Sequence, residues 1–193
     1  MAVWIGGVAV AVIVALGAVF IFARGGEAPK PSSISMPAGV QLVDTKGKPF
    51  TAQDLKGKPT AVFFGFTYCP EVCPTTLVDI GRWLEALGKD ADKLNVVFIS
   101  VDPERDTQKQ LALYLSSFDP RIRGVTGTPQ AIAKVAKGFR VYYRKVPTGG
   151  GEYTIDHSSA VYLMDADGRF VEPIGYGETL DRVLPKLRAV IGA

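Results

Sequence analysis

Between Ala61 and Val101 two apolar runs flank one stretch of helical periodicity, and that order leaves the chain few folds to choose from. Ala61 to Phe66 (AVFFGF) reads as a buried strand, followed by the turn-like Thr67–Tyr68–Cys69–Pro70. Leu77, Ile80, Leu84 and Leu87 then recur at helical spacing, with Pro74 well placed in a first turn. Leu94 to Val101 (LNVVFISV) is a second apolar, β-branched run. Two strands separated by one helix imply a parallel, right-handed βαβ unit.

The remaining pattern extends this unit. Thr107 to Ser117 and Pro129 to Phe139 read as helices, the second with Ile132, Val135, Ala136 and Phe139 on one face. Ala160 to Met164 (AVYLM) and Arg169 to Pro173 flank Asp165–Ala166–Asp167–Gly168, whose closing Asp–Gly pair signals a hairpin. Leu180, Val183, Leu184 and Leu187 mark a terminal helix despite Pro185 inside it, and Gly149–Gly151 reads as a loop tip. The order βαβ, helices, ββα is that of a thioredoxin-like α/β sheet.

Charge is distributed very unevenly. Met1 to Ala23 carries no charged side chain, so all 41 charged residues (22 Lys+Arg and 19 Asp+Glu) follow it. A helix needs roughly 20 apolar residues to cross the hydrocarbon core of a bilayer. The segment has that length, and it lacks the basic n-region and short apolar stretch of a cleaved signal peptide. Residues 1–23 are therefore expected to form one N-terminal transmembrane helix. Residues 24–39, rich in Pro, Gly and Ser, read as a linker, and 40–193 as the globular domain. This excludes a fully soluble chain, a polytopic membrane protein, a disordered tail and a small disulfide scaffold. A net charge of +3, scattered along the chain, argues against nucleic acid as a partner.

The chain has two cysteines, Cys69 and Cys73, and one histidine, His157. The cysteines lie where a strand ends and a helix begins, the edge of an α/β sheet at which reactive groups collect. A helix N-terminus favours thiolate, and side chains four positions apart share a helical face. Such a dithiol either closes to a disulfide or grips a soft metal. Two blander readings stand beside these, a pair of small buried residues and a permanent disulfide whose short loop would constrain the unfolded state little.

His157 sits in Thr154-Ile-Asp-His-Ser-Ser159, just before the AVYLM run. The loop entering that strand can approach the cysteine-bearing helix, although an ordinary hydrogen-bonded histidine fits the same position. Two thiolates and one imidazole make a three-ligand soft site suited to copper. Structural zinc takes four N/S ligands, and the chain has no fourth Cys or His.

Several stretches in order resemble the Sco (SenC/PrrC) family of membrane-anchored, thioredoxin-like copper proteins. They are Phe64-Gly-Phe-Thr-Tyr-Cys-Pro-Glu-Val-Cys-Pro74, Ser100-Val-Asp-Pro-Glu-Arg-Asp-Thr107, Gly124-Val-Thr-Gly-Thr128 and Asp156-His-Ser158, preceded by Asp54-Leu-Lys-Gly-Lys58. The resemblance implies that Cys69, Cys73 and His157 bind Cu(I) and Cu(II). It implies a role in delivering copper to the binuclear copper site of cytochrome c oxidase subunit II, or in reducing the cysteines of that site. A second copper chaperone as donor, and a globular domain on the outer (periplasmic or equivalent) side of the membrane, go with it. Asp102 matches a family acid near the metal, with a turn-capping role as the alternative. Asp156 is a candidate for orienting His157, as outer carboxylates do, with an ordinary loop aspartate as the alternative.

Two functions of different classes follow. One is a copper chaperone without turnover of its own; the other is an enzyme, a thiol–disulfide oxidoreductase acting on a partner protein. The Cys-x-x-x-Cys spacing and the histidine speak against a general thioredoxin, and the absence of Thr-x-x-Cys against a peroxiredoxin. Lys134, Lys137, Arg140, Arg144 and Lys145 read as a solvated basic face, with docking of an acidic partner as the alternative.

Overall fold

A computed structural model describes residues 34–193; the expected membrane helix at 1–23 and most of the expected linker lie outside these. Among the described residues no helix is long and apolar enough to cross a membrane.

The elements follow one another as β1 (Leu42–Asp44), β2 (Pro49–Phe50), β3 (Thr60–Gly65), α1 (Val72–Leu87), β4 (Asn95–Ser100), α2 (Gln108–Leu115), β5 (Ile122–Thr126), α3 (Pro129–Gly138), β6 (Tyr143–Gly149), β7 (Glu152–His157), β8 (Val161–Met164), β9 (Phe170–Ile174) and α4 (Leu180–Ile191). Short 3₁₀ segments lie at Ala52–Leu55 and Gly88–Lys93. Seven strands form one sheet in the order β2-β1-β5-β4-β3-β8-β9. Strands β3, β4 and β5 are parallel, β3 pairing with β4 from Thr60↔Asn95 to Gly65↔Ser100. The βαβ unit expected from residues 61–101 is therefore present, and β8 and β9 extend it as the expected antiparallel hairpin.

Every residue of β3 is buried, as a central strand covered on both faces requires. Phe63, Phe64 and Phe98 from the sheet meet Leu77, Ile80 and Leu84 of α1 in a shared core. Thr107 and Thr128 cap α2 and α3, each hydroxyl accepting a 3.2 Å bond from the backbone N–H three residues on. Helix α4 continues through Pro185, with Val183 and Leu187 fully buried. Helices α2 and α3 begin and end within two residues of their expected limits, and α4 contains the four leucine and valine positions that mark it.

Two features differ from expectation. Residues 143–157, which carry no strand signal in the pattern, form the antiparallel hairpin β6–β7, a separate two-stranded sheet that pairs Tyr143 with His157. Gly149, Gly150 and Gly151 all have positive φ at its turn, a conformation that favours glycine. The end of the expected linker also belongs with the folded domain. The Ser35 N–H donates to the Gly138 carbonyl at 3.2 Å, and Met36 is buried in the core.

Candidate metal centre

Strand β3 ends at Gly65, and the chain turns through Thr67 and Tyr68 into the cysteine pair. The Cys69 N–H donates to the Phe66 carbonyl at 3.2 Å, which closes this turn. Helix α1 then starts without a side-chain oxygen cap. The Cys73 N–H donates instead to the Cys69 sulfur at 3.3 Å, so a thiol group satisfies one of the unpaired donors of the first turn. Cys73 is fully buried and Cys69 half-buried, and both are free thiols.

Gly65 makes this packing possible. A Cβ there would lie 2.7 Å from the Cys73 sulfur and 2.8 Å from the Phe98 ring.

His157 arrives from the far side of the sequence, as the last residue of β7. Its Nε2 lies 3.4 Å from the Cys73 sulfur. Its Nδ1 lies 2.9 Å from the Ser158 carbonyl oxygen. A carbonyl only accepts, so Nδ1 donates to it, and Nε2 is the ring nitrogen left facing the cysteines. Phe66 packs against the imidazole edge-on at 5.7 Å between ring centroids, with Phe63 at 6.5 Å. The three donor atoms lie within 4.8 Å of one another, and no fourth Cys, His, Asp or Glu joins them among the described residues.

The thiols are strongly inequivalent. The hydrogen bond from the Cys73 thiol, helped by His157 and by backbone N–H groups, outweighs burial and holds Cys69 down at about 4. The same bond, with burial and the charge on Cys69, pushes Cys73 far up. The pair therefore loses its first proton from Cys69 and keeps the second on Cys73. A soft cation that replaces this proton meets two sulfurs and one imidazole nitrogen, a donor set that fits copper and falls one ligand short of structural zinc.

The loop after β4 supports both arms of the cluster. Asp106, fully buried, accepts bonds from the Thr67 N–H at 3.0 Å, the Thr67 hydroxyl at 2.7 Å and the Ser100 hydroxyl at 2.6 Å. It pins the turn that carries Cys69. Asp102 stands outside the donor cluster. Its backbone carbonyl accepts the N–H groups of Arg105 and Asp106, which closes the turn. Its carboxylate binds Arg105 and accepts the Tyr153 hydroxyl at 2.7 Å.

Asp156 does not orient His157. It is exposed and ion-paired with Arg144 at 3.2 Å, because alternate residues of β7 point to opposite faces. The Ser158 carbonyl does the orienting. Asp106, not singled out by the sequence reading, is the acid bonded to the cysteine turn. It lies in the Ser100–Thr107 stretch, where no spacing rule separates it from Asp102. In the basic stretch, Lys145 pairs with Glu104 and Arg144 with Asp156.

A family model described as SCO1/SenC matches residues 33–192. The structure of Bradyrhizobium japonicum ScoI with copper bound is 52% identical, covers 82% of this chain and 99% of that one, and superposes with a TM-score of 0.76. The crystal structure of yeast Sco1 with copper bound is 36% identical, covering 82% of this chain and 90% of that one, with a TM-score of 0.75. Among curated relatives, the mitochondrial protein SCO2 of Saccharomyces cerevisiae is 39% identical over 165 residues, 83% of this chain and 54% of that protein. The chain thus spans about half the length of this relative. With a match over nearly all of the folded domain, and relatives of this identity, the chain belongs to the SCO1/SenC family.

Proposed function

We propose that this chain is a membrane-anchored metallochaperone that carries copper, as Cu(I) and Cu(II), on Cys69, Cys73 and His157. One observation carries the reading: two sulfurs and one imidazole nitrogen converge within 4.8 Å, with the ring held at Nδ1 by the Ser158 carbonyl so that Nε2 faces the sulfurs. Two family members have structures with copper bound, which supports the choice of metal. Copper is cargo here, held by two sulfurs and one nitrogen and open to a fourth ligand from a partner.

The family resemblance extends the reading to the binuclear copper site of cytochrome c oxidase subunit II as recipient, and to another copper chaperone as donor. The uncharged stretch at residues 1–23 supports a single-pass anchor, with the domain on the outer face of the membrane. Copper-loaded full chain, mixed anaerobically with the metal-free copper domain of subunit II, tests this. Transfer predicts that the recipient's binuclear copper spectrum grows as the donor's sulfur-to-copper bands fade. A recipient that stays colourless while the donor keeps its copper contradicts delivery.

The state of Cys69 favours a second reading, a thiol–disulfide reductase. Its low pKa makes it a thiolate at neutral pH, half-exposed and ready to attack. Cys69 would displace one sulfur of a partner disulfide, and Cys73 would then attack Cys69 and release the partner's second thiol. Two electrons pass to the partner, and this chain is left with a Cys69–Cys73 disulfide. A negligible rate of reduction of the oxidised subunit II cysteines removes this reading.

A further inference from the structure

The hairpin that delivers His157 shares no strand pairing with the main sheet. Two-stranded hairpins are marginal on their own in water, and most residues of β6 and β7 are exposed or half-exposed. Something outside the hairpin must therefore hold His157 at its distance from Cys73. Ile155 alone of these strands is buried.

Arg105 occupies the place where such a support is needed. Its guanidinium lies 3.7 Å from the centroid of the Tyr153 ring and 4.6 Å from that of Tyr68. It binds the Asp102 carboxylate through Nε and donates from Nη1 to the Tyr153 carbonyl at 2.9 Å. Tyr153 in turn donates its hydroxyl to Asp102 at 2.7 Å. Tyr153 and His157 are four residues apart on β7 and so share a face, while Tyr68 is the immediate neighbour of Cys69. The side chain of Arg105 is 17% exposed although Tyr68 is 57% exposed. A single planar cation thus touches the residue beside one sulfur, the strand that carries the imidazole and the loop between them.

We propose that Arg105 is a positioning residue that clasps the His157 hairpin to the cysteine turn and thereby separates two modes of copper binding. With the clasp closed, the site offers two sulfurs and one nitrogen. With it open, the site offers two sulfurs alone. Cu(I) is satisfied by thiolates, whereas Cu(II) draws on the imidazole, so loss of the clasp falls on Cu(II). Lysine does not substitute, because the planar fork reaches Asp102 and the Tyr153 carbonyl together and stacks on an aromatic face. The proposal rests on the copper reading given above, but the state of the hairpin is measurable without copper.

The test uses the full chain in detergent micelles with the metal alone as probe, comparing wild type, Arg105→Ala and Arg105→Lys. In both variants Cu(II) affinity should fall about 10- to 100-fold, the range for lost outer partners of a ligand. The nitrogen coupling in the Cu(II) resonance spectrum should be lost with it, while Cu(I) affinity changes by less than about threefold. Without metal, ¹⁵N resonances of the one imidazole in the chain should move from a single Nδ1–H tautomer to an average of two. Equal losses for both oxidation states, no loss for either, or full recovery of Cu(II) binding in Arg105→Lys overturns the clasp. If Arg105→Ala does not fold, Arg105→Gln reads the same split. A wild-type chain that binds no copper overturns the metal reading alone, and the tautomer comparison still decides the clasp.

Discussion

The sulfur of Cys73 lies 3.4 Å from Nε2 of His157 across 84 residues of sequence. Neither side chain reaches the other through local structure. Cys73 is fixed by the first turn of α1, which follows the central strand β3, and His157 by the hairpin that leads into β8, the antiparallel neighbour of β3. Adjacent strands in the sheet therefore bring together what the chain separates.

This closeness depends on the missing side chain at Gly65. In Gly65→Ala the added methyl meets the Cys73 sulfur at 2.7 Å and Phe98 at 2.8 Å, so one of the two must shift. The expected loss of stability is about 1–3 kcal/mol, typical of overpacking, together with weaker copper binding. Denaturant midpoints and copper titration of the same variant check both. Unchanged binding would mean that the sulfur position is not critical.

Thiol reactivity should reveal the inequivalence of the cysteines. The Cys69 thiolate, held at about 4 mainly by the Cys73 thiol, should be alkylated at about pH 6, with one adduct per chain by mass spectrometry. Cys73, protonated and buried, should not react. In Cys73→Ala the principal donor to Cys69 is gone, so the pH at which alkylation reaches half its maximal rate should move upward from about 4.

Asp106 should matter more for the cysteine turn than its absence from the donor cluster suggests. Asp106→Ala leaves the Thr67 N–H and the Thr67 and Ser100 hydroxyls without their acceptor. A destabilisation of about 2–3 kcal/mol is expected for a buried, charge-assisted group, read from chemical denaturation. Asp156→Ala, at an exposed ion pair, should change stability by less than about 1 kcal/mol.

At the opposite edge of the sheet, Arg123 binds both Asp44 and Asp54. Burial raises the carboxyl of Asp44, but the N–H groups of Lys48 and Lys46 and the Arg123 guanidinium outweigh it, so the net shift is downward from 3.8. Asp54 is likewise lowered, with the Thr51 N–H and Arg123 outweighing burial. Acids with lowered folded pKa values stabilise the fold above their unfolded value, and the contribution disappears as pH falls through the folded value. Denaturant midpoints should therefore fall below about pH 4, and Arg123→Met should flatten that fall. A wild-type midpoint that is flat from pH 5 to pH 3 would contradict the assignment.

The parts of the fold legible in the sequence are those with a continuous apolar signal. AVFFGF and LNVVFISV are buried on both faces and read directly as central strands, and the face formed by Ile132, Val135 and Ala136 marks α3. The β6–β7 hairpin was not legible because it buries one residue, Ile155, and so offers no apolar alternation. Cys69, Cys73 and His157 were legible because soft donors are scarce in this chain. Their partners were not. A backbone carbonyl at Ser158 orients the imidazole, and Asp106 rather than Asp102 holds the cysteine turn, choices that only three-dimensional packing makes.

Anaerobic titration of the full chain with Cu(II), followed by optical and resonance spectroscopy, reads the donor set itself. A site of two sulfurs and one imidazole gives about one copper per chain, intense sulfur-to-copper charge-transfer bands and coupling to one imidazole nitrogen. The bands should vanish in Cys69→Ala and Cys73→Ala, and the nitrogen coupling in His157→Ala. Copper binding that survives undiminished in all three variants would contradict a site built from Cys69, Cys73 and His157.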